Sequence, residues 1–229
     1  MTETLYTYKY PRPAVTTDVV VFSYYRQQLR VLLIERGREP FLHCQALPGG
    51  FLEMEETAEQ CAARELREET GVTNAYLQQI GAFSGVERDP RGRVISIAFF
   101  ATIRTSDHTI AGGDDALRAD WFSIDKLPPL AFDHADIICK ARKALQSAAI
   151  TKAAAFSLLD ETFTVDELQQ LLEVIYDRKY DSEHFRQQIL SAGFIEPADG
   201  ASDRYTFNPL KHEAFIRQRQ RSEGLPFVL

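Results

Sequence analysis

Long apolar runs are missing from this sequence. No segment approaches the roughly 20 residues that a membrane-spanning helix needs, and the opening MTETLYTYKYPRP has no apolar core of the secretory type. Both absences point to a cytoplasmic chain with no membrane partner. Cysteine is scarce as well. Cys44, Cys61 and Cys139 are scattered, with neither CxxC nor zinc-ligand spacing, which fits reduced, small buried residues and argues against a disulfide framework. Cationic charge is short in the last third: from Thr151 onward nine Lys and Arg face thirteen Asp and Glu. Hydrophobic residues are plentiful, at 45% of 229, enough for one large core or two smaller ones.

The densest chemistry lies in GFLEMEETAEQCAARELREETGV, Gly50 to Val72. On a helix, positions three and four apart share a face, so Glu65, Glu68 and Glu69 project from one stretch of surface. Like charges crowded there repel unless solvent screens them or a cation neutralises them, and hard divalent ions take carboxylate oxygens. Cys61, Ala62 and Leu66 form a small apolar stripe suited to packing on a sheet. Glu56, nine positions before Glu65, belongs at or before the helix start. An ordinary solvated acidic helix that stops at Gly71 is the bland alternative. Before the helix, Pro48, Gly49 and Gly50 make a loop that lets backbone approach closely.

Gly50, Glu56, Arg64, Glu65, Leu66, Glu68, Glu69, Gly71 and Val72 stand at the spacings of the Nudix box, which this segment resembles at every defined position. That box marks hydrolases of nucleoside diphosphates linked to another group. The resemblance implies an α+β fold, a Nudix-type α/β/α sandwich over about residues 1–150, and a divalent cofactor, Mg²⁺ or Mn²⁺. Glu65, Glu68 and Glu69 are the expected metal ligands, with Glu56 completing the set and Arg64 holding a neighbouring carboxylate. Such ions bridge phosphate oxygens and acidify a water. The base is left open between a box glutamate, with Glu68 and Glu69 foremost, and the loop acids Asp114 and Asp115. Gly50, Arg36, Arg88 and Arg91 are candidates for substrate contact, because guanidinium forks suit phosphate and ribose oxygens.

Local patterns place the box. DVVVFSY (Asp18 to Tyr24) and RVLLIE (Arg30 to Glu35) read as paired strands around a polar turn, followed by strands at Tyr76 to Gly85, Val94 to Ile103 and Trp121 to Ile124. Ala131 to Gln146 reads as a helix with Ile137, Ile138, Ala141 and Leu145 on one side. LPGGF, RDPRGRVISIAF, GDDA, ADWF and LPPLAFDH look like stretches of ADP-ribose-type Nudix proteins and of Nudix-related transcriptional regulators. For RDPRGR a charged hairpin turn is the plainer alternative.

The remaining residues, 151–229, spell a second unit. Thr164 and Glu167 form a capping box ahead of Leu168, Leu171, Leu172 and Ile175. A second helix spans Ser182 to Ala192, Gly193 ends it, and Phe194 to Phe207 suits a short hairpin. Helix, helix, hairpin is a winged-helix order, and this tail resembles the DNA-binding domain of the Nudix-related regulators. Its charge argues the other way, since DNA affinity rests on basic surface. Arg186 is the only fixed cation on the expected recognition helix, while Arg178, Lys179, Arg217, Arg219 and Arg221 gather elsewhere. A helical module that packs or forms a homodimer is the alternative. Two functions therefore stand: a metal-dependent hydrolase, ranked first because its glutamate set is complete, and a DNA-binding regulator whose Nudix domain senses such a ligand.

Overall fold

The computed structural model describes residues 8–107, 110, 112, 116–200 and 203–222. Strands β1 (Ala14–Tyr25) and β2 (Gln28–Arg36) form an antiparallel hairpin around Arg26 and Gln27, whose φ angles of 49° and 60° give the mirror-image turn that matches strand twist. From Thr16 to Ser23 β1 is buried throughout, as expected of a strand covered on both faces. Strand β3 (Gln45–Ala46) joins β2, and β4 (Gln78–Phe83) pairs with β5 (Val94–Thr102). Strand β6 (Ala116–Ser123) also pairs with β2 and extends well before the expected Trp121. Among the described residues the sheet order is β3-β2-β1-β5-β4 with β6 on β2, and β1 runs parallel to β5.

Side-chain alternation along β1 sorts the two layers. Val19 and Val21 join Leu32, Ala62, Leu66 and Phe99 beneath helix α1 (Ala58–Thr70). Val20 and Phe22 join Ile137, Ala141 and Leu145 of helix α2 (His134–Thr151) on the opposite face. The result is the α+β class, a mixed sheet between helices.

Helix α3 (Val165–Tyr176) starts with the capping box expected at Thr164 and Glu167, and Leu168, Leu171, Leu172 and Ile175 are fully buried. Asp177 ends it in the left-handed conformation (φ 52°). Asp181 caps α4 (Ser182–Ser191), which buries Phe185 and Ile189. Strands β7 (Thr162–Phe163), β8 (Ile195–Pro197) and β9 (Tyr205–Phe207) form a small antiparallel sheet in the order β7-β9-β8. Helix α5 (Pro209–Ser222) follows. Neither β7 nor α5 was anticipated.

The core on the α2 face continues from β1 into the tail, taking in Phe156, Phe163, Leu172, Phe185 and Phe194. Residue 150 lies in the last turn of α2, inside that core. Phe156 stacks on Phe207 at 4.0 Å and meets Phe163 and Phe194 at 5.8 and 5.9 Å. Polar ties add direction: the Tyr176 hydroxyl donates to the Gln146 carbonyl (3.0 Å), and the Gln146 amide donates to the Ile175 carbonyl (2.9 Å). His212 Nε2 lies 2.7 Å from the Ile150 carbonyl, and burial pushes its imidazole below the usual value.

With one core spanning both parts, Leu172→Ala is expected to cost about 2–5 kcal/mol and to leave a single calorimetric transition; two separated transitions would contradict a shared core. His212 supplies a pH signature. Its folded value is depressed, so stability is complete above the unfolded imidazole range, near pH 6.5, and falls as the pH drops below it. His212→Gln should flatten that slope in melts recorded between about pH 5 and 7.

Candidate active site

Helix α1 is fixed at both ends. Thr57 is its N-cap, forming a capping box with Gln60, and Gly71 closes it in the left-handed conformation (φ 77°). Glu56 therefore precedes the helix, as its spacing required. The apolar stripe packs inward, with Cys61 and Ala62 fully buried. This small face lets α1 approach the Leu47–Gly50 loop. A Cβ on Gly49 would meet the Thr17 carbonyl oxygen at 2.0 Å, and one on Gly50 would meet the Glu65 carboxylate at 2.2 Å, so neither position admits a side chain without movement.

The four box glutamates divide into two groups. Glu65 and Glu69 line a cavity of about 460 Å³, where Glu69, only 5% exposed, accepts the Gly49 N–H at 2.8 Å. Glu56 and Glu68 lie outside that lining and face Arg64. The Arg64 guanidinium reaches Glu56 at 3.0 and 2.7 Å, Glu65 at 2.8 Å, Glu68 at 3.2 Å and the Phe51 carbonyl at 3.2 Å. Arg67 adds a second contact to Glu68 at 3.0 Å. The Arg64 hydrogen bonds hold the Glu56 carboxyl down at about 2. Burial, assisted by the nearby Glu68 and Glu56 charges, pushes Glu65 above the ordinary carboxylate range against the pull of Arg64. Burial also drives the Cys61 thiol up to about 11, consistent with its expected inert, packed role.

Among the described residues no three His, Cys, Asp or Glu side chains converge as a preformed metal cage. Of the expected ligands, Glu65 and Glu69 line the cavity, while Glu68 is bonded to Arg64 and Arg67 and Glu56 to Arg64. The Glu65 and Glu69 carboxylates at the cavity suit a hard divalent cation, which one or two carboxylates can hold together with phosphates and water. The Thr16 hydroxyl, at the cavity wall, is buried with no hydrogen-bond partner, a further sign that the wall is built for a polar occupant.

Cations and rings form the remaining walls. Arg36 and Arg91 both line the cavity, at 4.9 and 5.5 Å from the centroid of the Phe132 ring. Arg91 also sits 5.0 Å over Phe51 and forks onto Asp89. Arg88 departs from expectation. Its side chain is 4% exposed and directed at Asp133 (2.9 and 2.6 Å) and Asp18 (3.4 Å), so it braces the structure and is not available to a ligand. Asp115, with Asp114, lies outside the described residues. Among the polar cavity-lining residues not singled out beforehand are Asp18 and His134. The signals were an acid inside an otherwise apolar strand and the histidine of LPPLAFDH.

In the tail, Arg186 lies on α4 as expected, but Asp203 of the β8–β9 turn pairs with it at 2.7 Å. Lys179, Lys211 and Arg217 likewise pair with Glu173, Glu196 and Glu213. Among the described residues no helix is long and apolar enough to cross a membrane.

Residues 14–141 match the NUDIX domain family, and residues 155–206 match the NrtR DNA-binding winged helix domain. A repressor from Acinetobacter baylyi, described as ADPR responsive transcriptional repressor NtrR, is 33% identical over 196 residues, which span 83% of this chain and 77% of that protein. An ADP-ribose pyrophosphatase from Methanocaldococcus jannaschii is 43% identical over 129 residues, 56% of this chain and 73% of the relative. The crystal structure of Shewanella oneidensis NrtR complexed with a 27mer DNA superposes with a TM-score of 0.69 at 29% identity, covering 87% of this chain and 95% of that one. With its glutamates, Gly49–Gly50 loop and docked winged helix accounted for, the chain belongs to the NUDIX family and carries an NrtR-type winged-helix domain behind its Nudix domain.

Proposed function

We propose that the Nudix domain is a metal-dependent hydrolase that cleaves the pyrophosphate of ADP-ribose or a closely related nucleoside diphosphate derivative. The observation that carries this is the cavity itself, with Glu65 and Glu69 on one wall and Arg36 and Arg91 on another. Guanidinium groups match phosphate oxygens, while the paired carboxylates fit a divalent cation shared with those phosphates. Bound Mg²⁺ would supply charge neutralisation at the diphosphate and a more acidic water. Glu65 and Glu69 are its holders. Arg64 keeps the acids Glu56, Glu65 and Glu68 in register through charge-assisted bonds. The acceptor of the proton from water is a box carboxylate, either Glu69 in the cavity wall or Glu68, with about a third of its side chain open to solvent.

A second activity is supported by the tail. The repressor relative matches most of this chain, including the winged helix, and α4 leaves Glu183, His184 and Gln187 exposed beside Arg186. On this reading the winged helix binds DNA and the Nudix cavity makes that binding responsive to ADP-ribose. The two activities do not exclude each other, because each uses its own site.

Incubation with ADP-ribose and Mg²⁺ is expected to release AMP. Glu69→Gln should lower kcat by about 10²- to 10⁴-fold with the melting temperature retained, whereas absence of AMP, together with intact recovery of a panel of other nucleoside diphosphate compounds, would remove the hydrolase. DNA binding is read separately, by selecting duplexes from a random pool and titrating them in fluorescence anisotropy. Affinity should fall as salt rises, drop further in Arg186→Ala, and increase in Asp203→Asn, where Arg186 is freed for phosphate. No selected duplex at low salt would exclude the regulator.

A further inference from the structure

Asp18 and His134 join at the cavity in a buried polar chain. His134 is 3% exposed, and its Nδ1 accepts the Leu47 N–H at 2.8 Å. The ring proton therefore sits on Nε2, which lies 3.3 Å from Asp18 Oδ1. Asp18 also accepts from the Ser96 hydroxyl and from Arg88 at 3.4 Å. Burial opposes the Asp18 charge, but His134, Ser96 and Arg88 outweigh it and keep the carboxyl below the ordinary range. Arg88 in turn is forked onto Asp133, the residue before α2. Asp133 makes no side-chain cap for that helix, its carboxylate being committed to Arg88.

What His134 holds is the entrance of the Leu47–Gly50 loop. The loop's backbone groups can be followed one by one. The Pro48 carbonyl accepts from Val19 N–H and the Gly50 carbonyl from Thr17 N–H, both at 2.9 Å, so β1 holds one side. On the other side Leu47 N–H goes to His134 and Gly49 N–H to Glu69, while Pro48 has none to give. Gly50 then lies against Glu65. The cluster directs an acceptor at the segment whose backbone meets both cavity-lining glutamates.

We propose that His134 is a positioning residue for the Nudix carboxylates: held by Asp18 and braced through Arg88, it fixes the Leu47–Gly50 loop so that Gly49 and Gly50 aim Glu69 and Glu65 into the cavity. The inference rests on the hydrolase reading above. Its chemical content is a single acceptor at Nδ1, and that can be tested by side chains that keep or lose it. An asparagine amide oxygen reaches the position of Nδ1, whereas a glutamine places its polar group further out, toward Asp18.

The experiment measures Mg²⁺-dependent ADP-ribose turnover and, on the same preparations, ADP-ribose affinity by calorimetry. His134→Ala and His134→Gln are expected to lose about 10- to 100-fold in kcat, the range for removing a partner that orients a metal ligand, with KM moving far less. His134→Asn should restore kcat to near the native level. Wild-type kcat in His134→Ala, or equal losses in the Asn and Gln variants, overturns the proposal. So does loss of the folded state in all three variants on thermal melting, which would mark His134 as a core element only. If the native protein turns over no nucleotide, the hydrolase reading fails by itself and affinity becomes the test. Asn near native with Ala and Gln weakened then supports the clamp, and uniform affinity across the three overturns it.

Discussion

The contact between the Gly49 amide and the Glu69 carboxylate, with Gly50 pressed against Glu65, is the constraint on which the Nudix site is built. It requires the loop backbone to lie between β1 and α1 with no side chain on either glycine. The helix must then come close, and it can because the residues beneath it are Cys61 and Ala62. The Cys61 thiol receives the Thr17 hydroxyl at 3.3 Å and reaches toward the Gly50 and Phe51 carbonyls. A larger residue at 61 or 62 would lift α1 and carry Glu65 and Glu69 out of the cavity. Packing thus decides where the charges point.

Electrostatics then sets what the acids do. Arg64 and Arg67 are two guanidinium groups among four carboxylates, so the cluster keeps a negative excess that favours cations. The imbalance is visible in opposite shifts: Glu56, gripped by two hydrogen bonds, is held low, while Glu65, half-buried and near like charges, is raised. A cation near Glu65 would favour its charged form and relieve the repulsion that burial intensifies. Ion pairing and cavity lining coincide at Glu65, which takes an Arg64 hydrogen bond and still lines the cavity.

The sequence pattern revealed the elements with strong local chemistry. Thr164 with its capping partner Glu167, Gly71, and the apolar runs of β1, β2 and β5 all lie where spacing placed them, whereas the Thr57–Gln60 capping box of α1 was not anticipated. Strands β3 and β7, of two residues each, have no period to detect, since they exist only through pairing with β2 and β9. Helix α5 was hidden because its few apolar residues, Phe215 among them, pack on a core assembled from distant segments. At the site, composition identified the acids but not their partners. Arg88 was a candidate substrate contact because guanidinium forks suit phosphate and ribose oxygens; only the fold brings Asp18 and Asp133, 70 and 45 positions away, to its guanidinium. The Glu68 contacts to Arg64 and Arg67 were out of reach for a related reason: helical periodicity fixes a face, while the side chain chooses its partner within that face.

The same long-range logic connects the cavity to the tail. Helix α2 begins at His134, in the cavity wall, and runs about 27 Å at the usual rise per residue to an end where Gln146 and Ile150 bond to Ile175, Tyr176 and His212 of the winged helix. Its flank is buried in the core that α3 completes, so the helix cannot shift at one end while the other stays in place without opening packed apolar surface. A ligand alters a distant equilibrium only by the difference in its affinity for two arrangements. In this chain α2 reaches from the cavity wall to the winged helix, and the His134–Asp18–Arg88–Asp133 chain lies at its cavity end. The Leu47–Gly50 loop and the helix that packs against the winged helix meet at His134, whose Nδ1 accepts the Leu47 N–H.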